Sequence, residues 1–230
     1  MMALLRSLLY AAIFYPATFL FVVACFLALP FGAERLRKVV LAWVDFHHWL
    51  ARSVLNIRSR VIGALPPGPH LIAVKHEAMY ETLEMVRLTR RPVIVLKREL
   101  SDIPLFGWAT KRWGVIPVDR QAGAKALRQM VAAGKEAVAS GRPVMIFPEG
   151  TRVPAGQAPA LRPGFAGLYR ALGLPVVPVA VDSGRLWGRG LAHHAGTVTF
   201  KVGETIPPGL KREEIEGRVH DAINVLQLAP

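Results

Sequence analysis

The chain has 230 residues, 52% of them hydrophobic and 20% charged, with a formal net charge of +13. That length fits one catalytic domain plus an appendage, and the mean hydropathy of +0.33 is high for a freely soluble protein. Its single cysteine, Cys25, excludes an intrachain disulfide framework and argues against a thiolate zinc site.

The positive excess favours acidic partners such as anionic lipid, phosphorylated substrates and carriers, or nucleic acid. It is spread along the chain, however, with no basic low-complexity tail resembling a nucleic-acid arm. From Ser7 through Ala33 no charged side chain occurs, and Leu8 to Pro30 is long enough for a membrane helix. Pro16 inside it removes a backbone donor and predicts a kink or break. A signal peptide is disfavoured, because the apolar run exceeds the usual h-region and no small-x-small cleavage site follows. Arg35, Arg37, Lys38, Arg52, Arg58 and Arg60 follow the run, whereas only Arg6 and the terminal amine precede it. The positive-inside bias therefore predicts a catalytic portion on the cytoplasmic face. Val39 to Ile57 mixes Trp43, Phe46 and Trp49 with Asp45, His47, His48 and Arg52, the pattern of an interfacial amphipathic helix. Residues 1–60 are thus expected to form a two-helix membrane anchor, and residues 61–230 the catalytic domain.

In that second part, apolar runs alternate with helical patterns. Strands are predicted at His70–Lys75, Pro92–Lys97, Val115–Val118, Pro143–Phe147, Val176–Val181 and Thr197–Val202. Helices are predicted at Met79–Thr89, Ile103–Trp113, Ala122–Ala139, Gly164–Leu172 and Arg212–Leu226. The order reads as α/β, a mixed sheet covered by helices.

Two motifs carry chemistry. In Lys75-His76-Glu77-Ala78-Met79-Tyr80-Glu81, His76 follows a strand and Glu81 falls in the first turn of the next helix. A carboxylate bonded to one ring nitrogen fixes the tautomer and leaves the other nitrogen to accept a hydroxyl proton. A structural histidine satisfied by nearby backbone is the competing reading. In Phe147-Pro148-Glu149-Gly150-Thr151-Arg152, a glycine turn after a strand offers backbone amides to an anion, and Arg152 adds a charged fork. An ordinary surface turn is the alternative there. Lys75 reads as the solvated end of its strand, and the pair His193-His194 as loop residues.

Between and after these motifs lie Lys97-Arg98-Glu99-Leu100, Phe106-Gly107-Trp108, Gly114-Val115-Ile116-Pro117-Val118-Asp119-Arg120 and Leu174-Pro175-Val176-Val177-Pro178-Val179-Ala180-Val181. In this order, over residues 75–181, the blocks resemble those of the glycerolipid acyltransferases, specifically the 1-acyl-sn-glycerol-3-phosphate (lysophosphatidate) acyltransferases. The resemblance implies that His76 deprotonates the glycerol 2-hydroxyl, which attacks an acyl thioester to form phosphatidate, and that Glu81 holds His76. It assigns contacts to the acceptor phosphate to Lys97 and Arg120, and places Glu149, Gly150, Thr151 and Arg152 around the acceptor. No metal and no covalent acyl-enzyme is implied. The co-substrate is acyl-CoA or an acylated carrier protein, and the partners are membrane lipid and lysophosphatidate rather than nucleic acid. Two departures stand out: Lys75 where Asn is commoner before the histidine, and Glu81 where Asp is commoner. Glu77 and Glu84 are the substitutes for the acid. The other functional readings are acylation of a different lysolipid, such as lyso-ornithine lipid, and a non-enzymatic membrane protein that binds anionic lipid.

Overall fold

The computed structural model describes residues 1–119 and 123–227. The first helix, α1 (Met2–Ala28), runs through Pro16 rather than breaking there. One carbonyl next to the proline turn is engaged from the side, by the Thr18 hydroxyl donating to the Phe14 oxygen at 2.8 Å. By length and composition, Met2–Phe31 is apolar enough to cross a membrane. Its two faces differ. Leu5, Leu9, Phe19, Leu20 and Leu27 are exposed, while Tyr10 and Phe14 are buried in the main core with Val44, Leu50 and Trp187. After α2 (Ala33–Leu50) comes one wider helical turn, Ala51–Leu55, closed by Asn56 in the left-handed conformation that Asn tolerates.

A strand absent from the sequence-based expectation follows: β1 (Ile57–Ile62), which crosses the boundary expected at residue 60. Only Ile57 in it is fully buried, so its pattern is that of a half-solvated edge and carries little hydrophobic signal. The remaining strands are β2 (Leu71–Val74), β3 (Val93–Lys97), β4 (Ile116–Val118), β5 (Val144–Ile146), β6 (Val176–Val181) and β7 (Gly196–Val202). They form one mixed sheet in the order β1-β7-β6-β2-β5-β3-β4, in which only the β6–β7 pair is antiparallel.

Helices cover both faces of the sheet, and β2 at its centre is buried on both sides, which explains its uninterrupted apolar run. Ile72 and Val74 face the core built with α1, α2 and α3 (Tyr80–Thr89). Leu71 and Ala73 face the core built with α6 (Gly123–Ala139), α7 (Pro163–Leu172) and α8 (Arg212–Asn224). The helix expected at 103–113 starts later, as α5 (Phe106–Trp113), because Leu105 before it stands at φ 63°, and a short helix that was not expected, α4 (Arg98–Ser101), precedes it. Gly107 is required at that corner, since a Cβ there would collide with the Ser101 carbonyl.

His47 is not an interfacial residue. It is wholly buried against Tyr10, Phe14, Tyr80 and Trp187, and burial pushes its imidazole down to about 3, so it stays neutral. His48 instead contacts Glu84 at 3.2 Å.

Candidate active site

Three adjacent parallel strands, β6, β2 and β5, end together at the C-terminal edge of the sheet. In α/β folds this edge is where ligands bind. β2 delivers Lys75 and His76, β5 delivers Phe147 through Arg152, and β6 delivers Asp182 and Ser183.

The His76 Nδ1 lies 2.8 Å from Glu81 Oε1. Because an ionised carboxylate only accepts, Nδ1 carries the proton and Nε2 of the neutral ring is the acceptor. Among the described residues Nε2 has no hydrogen-bond partner, and the side chain keeps 14% exposure. The Phe147 ring stacks on the imidazole, with centroids 3.9 Å apart and planes 23° apart, closing one face of the base. The sequence places Phe147 at the head of the second motif but assigns it no role; its position immediately before the Pro-Glu-Gly turn is the signal that it borders the site.

Glu81 reaches back from the first turn of α3. Its Oε1 also accepts the backbone N–H groups of Glu77 (2.8 Å) and Ala78 (2.7 Å), and its Oε2 accepts the Ser183 hydroxyl at 2.7 Å. The carboxylate is therefore fully buried yet saturated with donors, which keeps a charge tolerable in the interior. The two substitute acids are occupied elsewhere. Glu84 binds Ser59, Arg87 and His48; burial opposes its charge, but these donors hold it down to about 2. Glu77 turns away and accepts the Gly184 N–H at 2.7 Å.

Two expectations need correction. Lys75 is not solvated: it is fully buried, and its ammonium donates to Glu149 Oε1 (2.6 Å), the Gln157 carbonyl (2.7 Å) and Asn224 Oδ1 (2.7 Å). Glu149 correspondingly points inward rather than toward an acceptor, and its Oε2 receives the His76 backbone N–H at 3.1 Å. Opposite charge and the missing solvent drive both side chains into one pair.

Gly150 sits at φ +71°, where a Cβ would stand 2.9 Å from Arg162 Cγ. Its N–H is used within the turn, bonding the Phe147 carbonyl at 3.0 Å, so it is not offered to an anion. Thr151 and Arg152 are exposed beside it. The turn is tied to the first motif by the Val153 N–H, which donates to the His76 carbonyl at 2.7 Å. Lys97 ends β3, two strand spacings or about 10 Å from β2. It is half-exposed and pairs with Glu99 at 2.8 Å. Arg120 lies outside the described residues.

The site thus sets an imidazole nitrogen, unpartnered among the described residues and oriented by a buried carboxylate, at the open edge of parallel strands beside an exposed arginine turn, a geometry suited to accepting a proton. Residues 41–182 match the family model described as Acyltransferase, and the chain belongs to that family. Over 178 residues it is 40% identical to the 1-acyl-sn-glycerol-3-phosphate acyltransferase of Pseudomonas aeruginosa, covering 76% of this chain and 69% of that protein. It is 30% identical over 178 residues to 1-acyl-sn-glycerol-3-phosphate acyltransferase alpha of Mus musculus, covering 74% of this chain and 61% of that one. With the namesake from Helicobacter pylori it shares 30% identity over 106 residues, 46% of this chain and 44% of that protein. The fold matches the crystal structure of the 1-acyl-sn-glycerophosphate (LPA) acyltransferase, PlsC, of Thermotoga maritima with a TM-score of 0.78 at 21% identity, over 97% of this chain and 95% of that one.

Proposed function

We propose that this chain transfers an acyl group from an acyl thioester to the free hydroxyl of 1-acyl-sn-glycerol 3-phosphate, forming phosphatidate. The observation that carries the reading is the His76–Glu81 contact at 2.8 Å, with Nε2 unpartnered among the described residues. His76 Nε2 takes the hydroxyl proton as the oxygen bonds to the thioester carbonyl carbon. The C–S bond then breaks, and the thiolate recovers the proton from the imidazolium. Glu81 holds the ring and stabilises the imidazolium without becoming protonated. Arg152 and Thr151, exposed on the turn next to His76, are suited to the acceptor phosphate; Lys97 and Arg120 complete that set in this reading. The donor is acyl-CoA or an acylated carrier protein, both anionic and both compatible with a chain of +13.

The test is a panel assay with purified protein: lysophosphatidate, lyso-ornithine lipid and other lysolipids, each crossed with acyl-CoA and acyl-carrier donors. Thioester consumption that depends on lysophosphatidate is expected. Turnover confined to a lysolipid without phosphate would reassign the acceptor, and no turnover with any pair would favour lipid binding without catalysis.

Membrane association follows from α1. Its inner face is fixed in the domain core through Tyr10 and Phe14, so in this reading the outward apolar face enters the bilayer while the domain stays at the surface. The surplus of basic residues after α1 favours the cytoplasmic face. The two helices of residues 1–60 then serve as anchor to the catalytic part.

A partly open apolar cavity between α1, α2, α3 and α5 is lined by Val22, Cys25, Trp43, Leu83, Val86 and Phe106. On α3, Leu83 is two positions past Glu81 and so is turned to a different face of the helix, the one toward the cavity. The cavity suits the acyl chain. Filling it with Leu83→Trp is expected to lower kcat/KM for long-chain donors by about tenfold or more relative to short ones, since each methylene denied burial costs about 0.8 kcal/mol. Competition between donors of two chain lengths measures this; an unchanged preference would remove the cavity from the acyl path.

A further inference from the structure

Ser183 lies one residue past the segment matching the family model and in none of the motif blocks. It is nevertheless built into the base. The residue is fully buried, begins a short helical turn (Ser183–Arg185) at the end of β6, and donates to Glu81 Oε2 at 2.7 Å. That is the only donor this oxygen has among the described residues, because His76, Glu77 and Ala78 all bond the other oxygen, Oε1. The turn is itself clamped. The Gly184 N–H donates to Glu77 Oε2, and Gly184 sits so close that a Cβ would lie 3.1 Å from the Glu77 Cβ and 3.2 Å from the Ala155 Cβ. Strand β6 is a direct neighbour of β2 in the sheet, so the register Ala73↔Pro178, Val74↔Val179 sets how far Ser183 reaches over the histidine loop.

We infer that Ser183 is a positioning residue for acyl transfer, fixing the outer carboxylate oxygen of Glu81 so that the inner one stays aligned with His76 Nδ1, and that Glu77 holds Ser183 in place through the Gly184 amide. This rests on the general-base reading of His76. Without the hydroxyl, Oε2 becomes a buried carboxylate oxygen with no donor, and the negative charge shared by the His76–Glu81 pair is less well stabilised. Protonation of the pair, which neutralises that charge, then becomes easier. The ionisable groups around the junction are His76 and Glu77 on the β2–α3 segment, Lys75 at the end of β2, and Asp182 at the end of β6. Lys75 is bound by Glu149, and Asp182 accepts the Thr199 N–H of β7. Glu77 itself titrates near neutrality, pushed up to about 7 by burial, so a pH profile must separate its contribution.

The experiment compares the full chain with Ser183→Ala, Ser183→Thr, Glu77→Gln, the Ser183→Ala/Glu77→Gln pair, and His76→Ala, all in detergent micelles. The readouts are kcat, KM for the acceptor, the pH dependence of kcat/KM, and the melting temperature. Ser183→Ala is expected to lower kcat about tenfold to a hundredfold, the loss of a hydrogen bond to a charged group, with KM little changed. The acid limb of kcat/KM is expected to move to higher pH, both in the native background and with Glu77→Gln. Ser183→Thr, which keeps the hydroxyl, is expected to restore the limb. A full rate with an unmoved limb in Ser183→Ala overturns the inference. So does a slow, less stable Ser183→Ala whose limb coincides with that of the native chain, since that is the signature of a structural serine. If His76→Ala itself turns over normally, it is the general-base reading that fails.

Discussion

His76→Ala is expected to lower kcat by about 10²- to 10⁴-fold, the usual contribution of a positioned general base, while leaving the protein membrane-bound. The separation follows from where the residues sit. His76 stands on the loop after β2 with 14% side-chain exposure, whereas in the proposed reading the outward face of α1 carries membrane association. The imidazole lies against Phe147 and Glu81 and contributes little to either core, so the melting temperature is expected to change little. Glu81→Gln tests the partner. The amide oxygen can still accept from His76 and from the Glu77 and Ala78 amides, but the charge that stabilises the imidazolium is gone. A smaller rate loss than in His76→Ala is expected, again with membrane binding intact. Co-sedimentation with vesicles alongside a thioester-release assay reads both properties. Normal turnover by His76→Ala would sink the mechanism; loss of sedimentation together with activity would mean that the loop, and not the base alone, had been disturbed.

The parts of this site legible in sequence are those that follow a strong period or a short-range link. Each strand from β2 to β7 was predicted within a residue or two: β2, β5 and β6 because burial on both faces leaves a continuous apolar run, and β7 because Val198 and Phe200 alternate with polar residues on a half-buried strand. The His76–Glu81 pair was legible because five residues spanning a loop and a first helical turn can close on themselves. What was not legible depends on pairing over long separations. Lys75 looked like a solvated strand end, since its partners, Glu149 and Asn224, lie 74 and 149 residues away. Ser183 was hidden for the same reason, its link to Glu81 spanning 102 residues. Once β6 and β5 are known to flank β2, the Glu149 and Ser183 contacts become local, whereas the Asn224 contact depends on where α8 packs. The edge strand β1 failed on different grounds: its half-exposed pattern runs on directly from the helical pattern of α2, so no change of period marks the boundary.

Glu149→Ala is expected to destabilise the fold by about 3–5 kcal/mol, because it strands a buried ammonium without its counter-charge. For a chain of this size that corresponds to a fall in melting temperature of roughly 6–20 °C. The pair is dry on both sides, with Lys75 and Glu149 side chains at 0% exposure, and the ammonium spends each of its three N–H donors on a different segment. It thereby joins the end of β2, the turn after β5 and the helix α8, while the second Glu149 oxygen holds the His76 backbone N–H. The same substitution should therefore slow acyl transfer even well below the melting transition, through the loosened histidine loop. Lys75→Met alone should also destabilise, by leaving Glu149 without its cation. The double variant Lys75→Met/Glu149→Gln, which buries no charge, is expected to lose less than the sum of the two single changes. A role for Glu149 in contacting the acceptor makes the opposite forecast: Glu149→Gln would raise KM for lysophosphatidate with no change in melting. Thermal melts and acceptor titrations on the same preparations separate the two. An unchanged melting temperature in Glu149→Ala would mean that the Lys75–Glu149 contact does not stabilise the fold, and would return Glu149 to the substrate side of the turn.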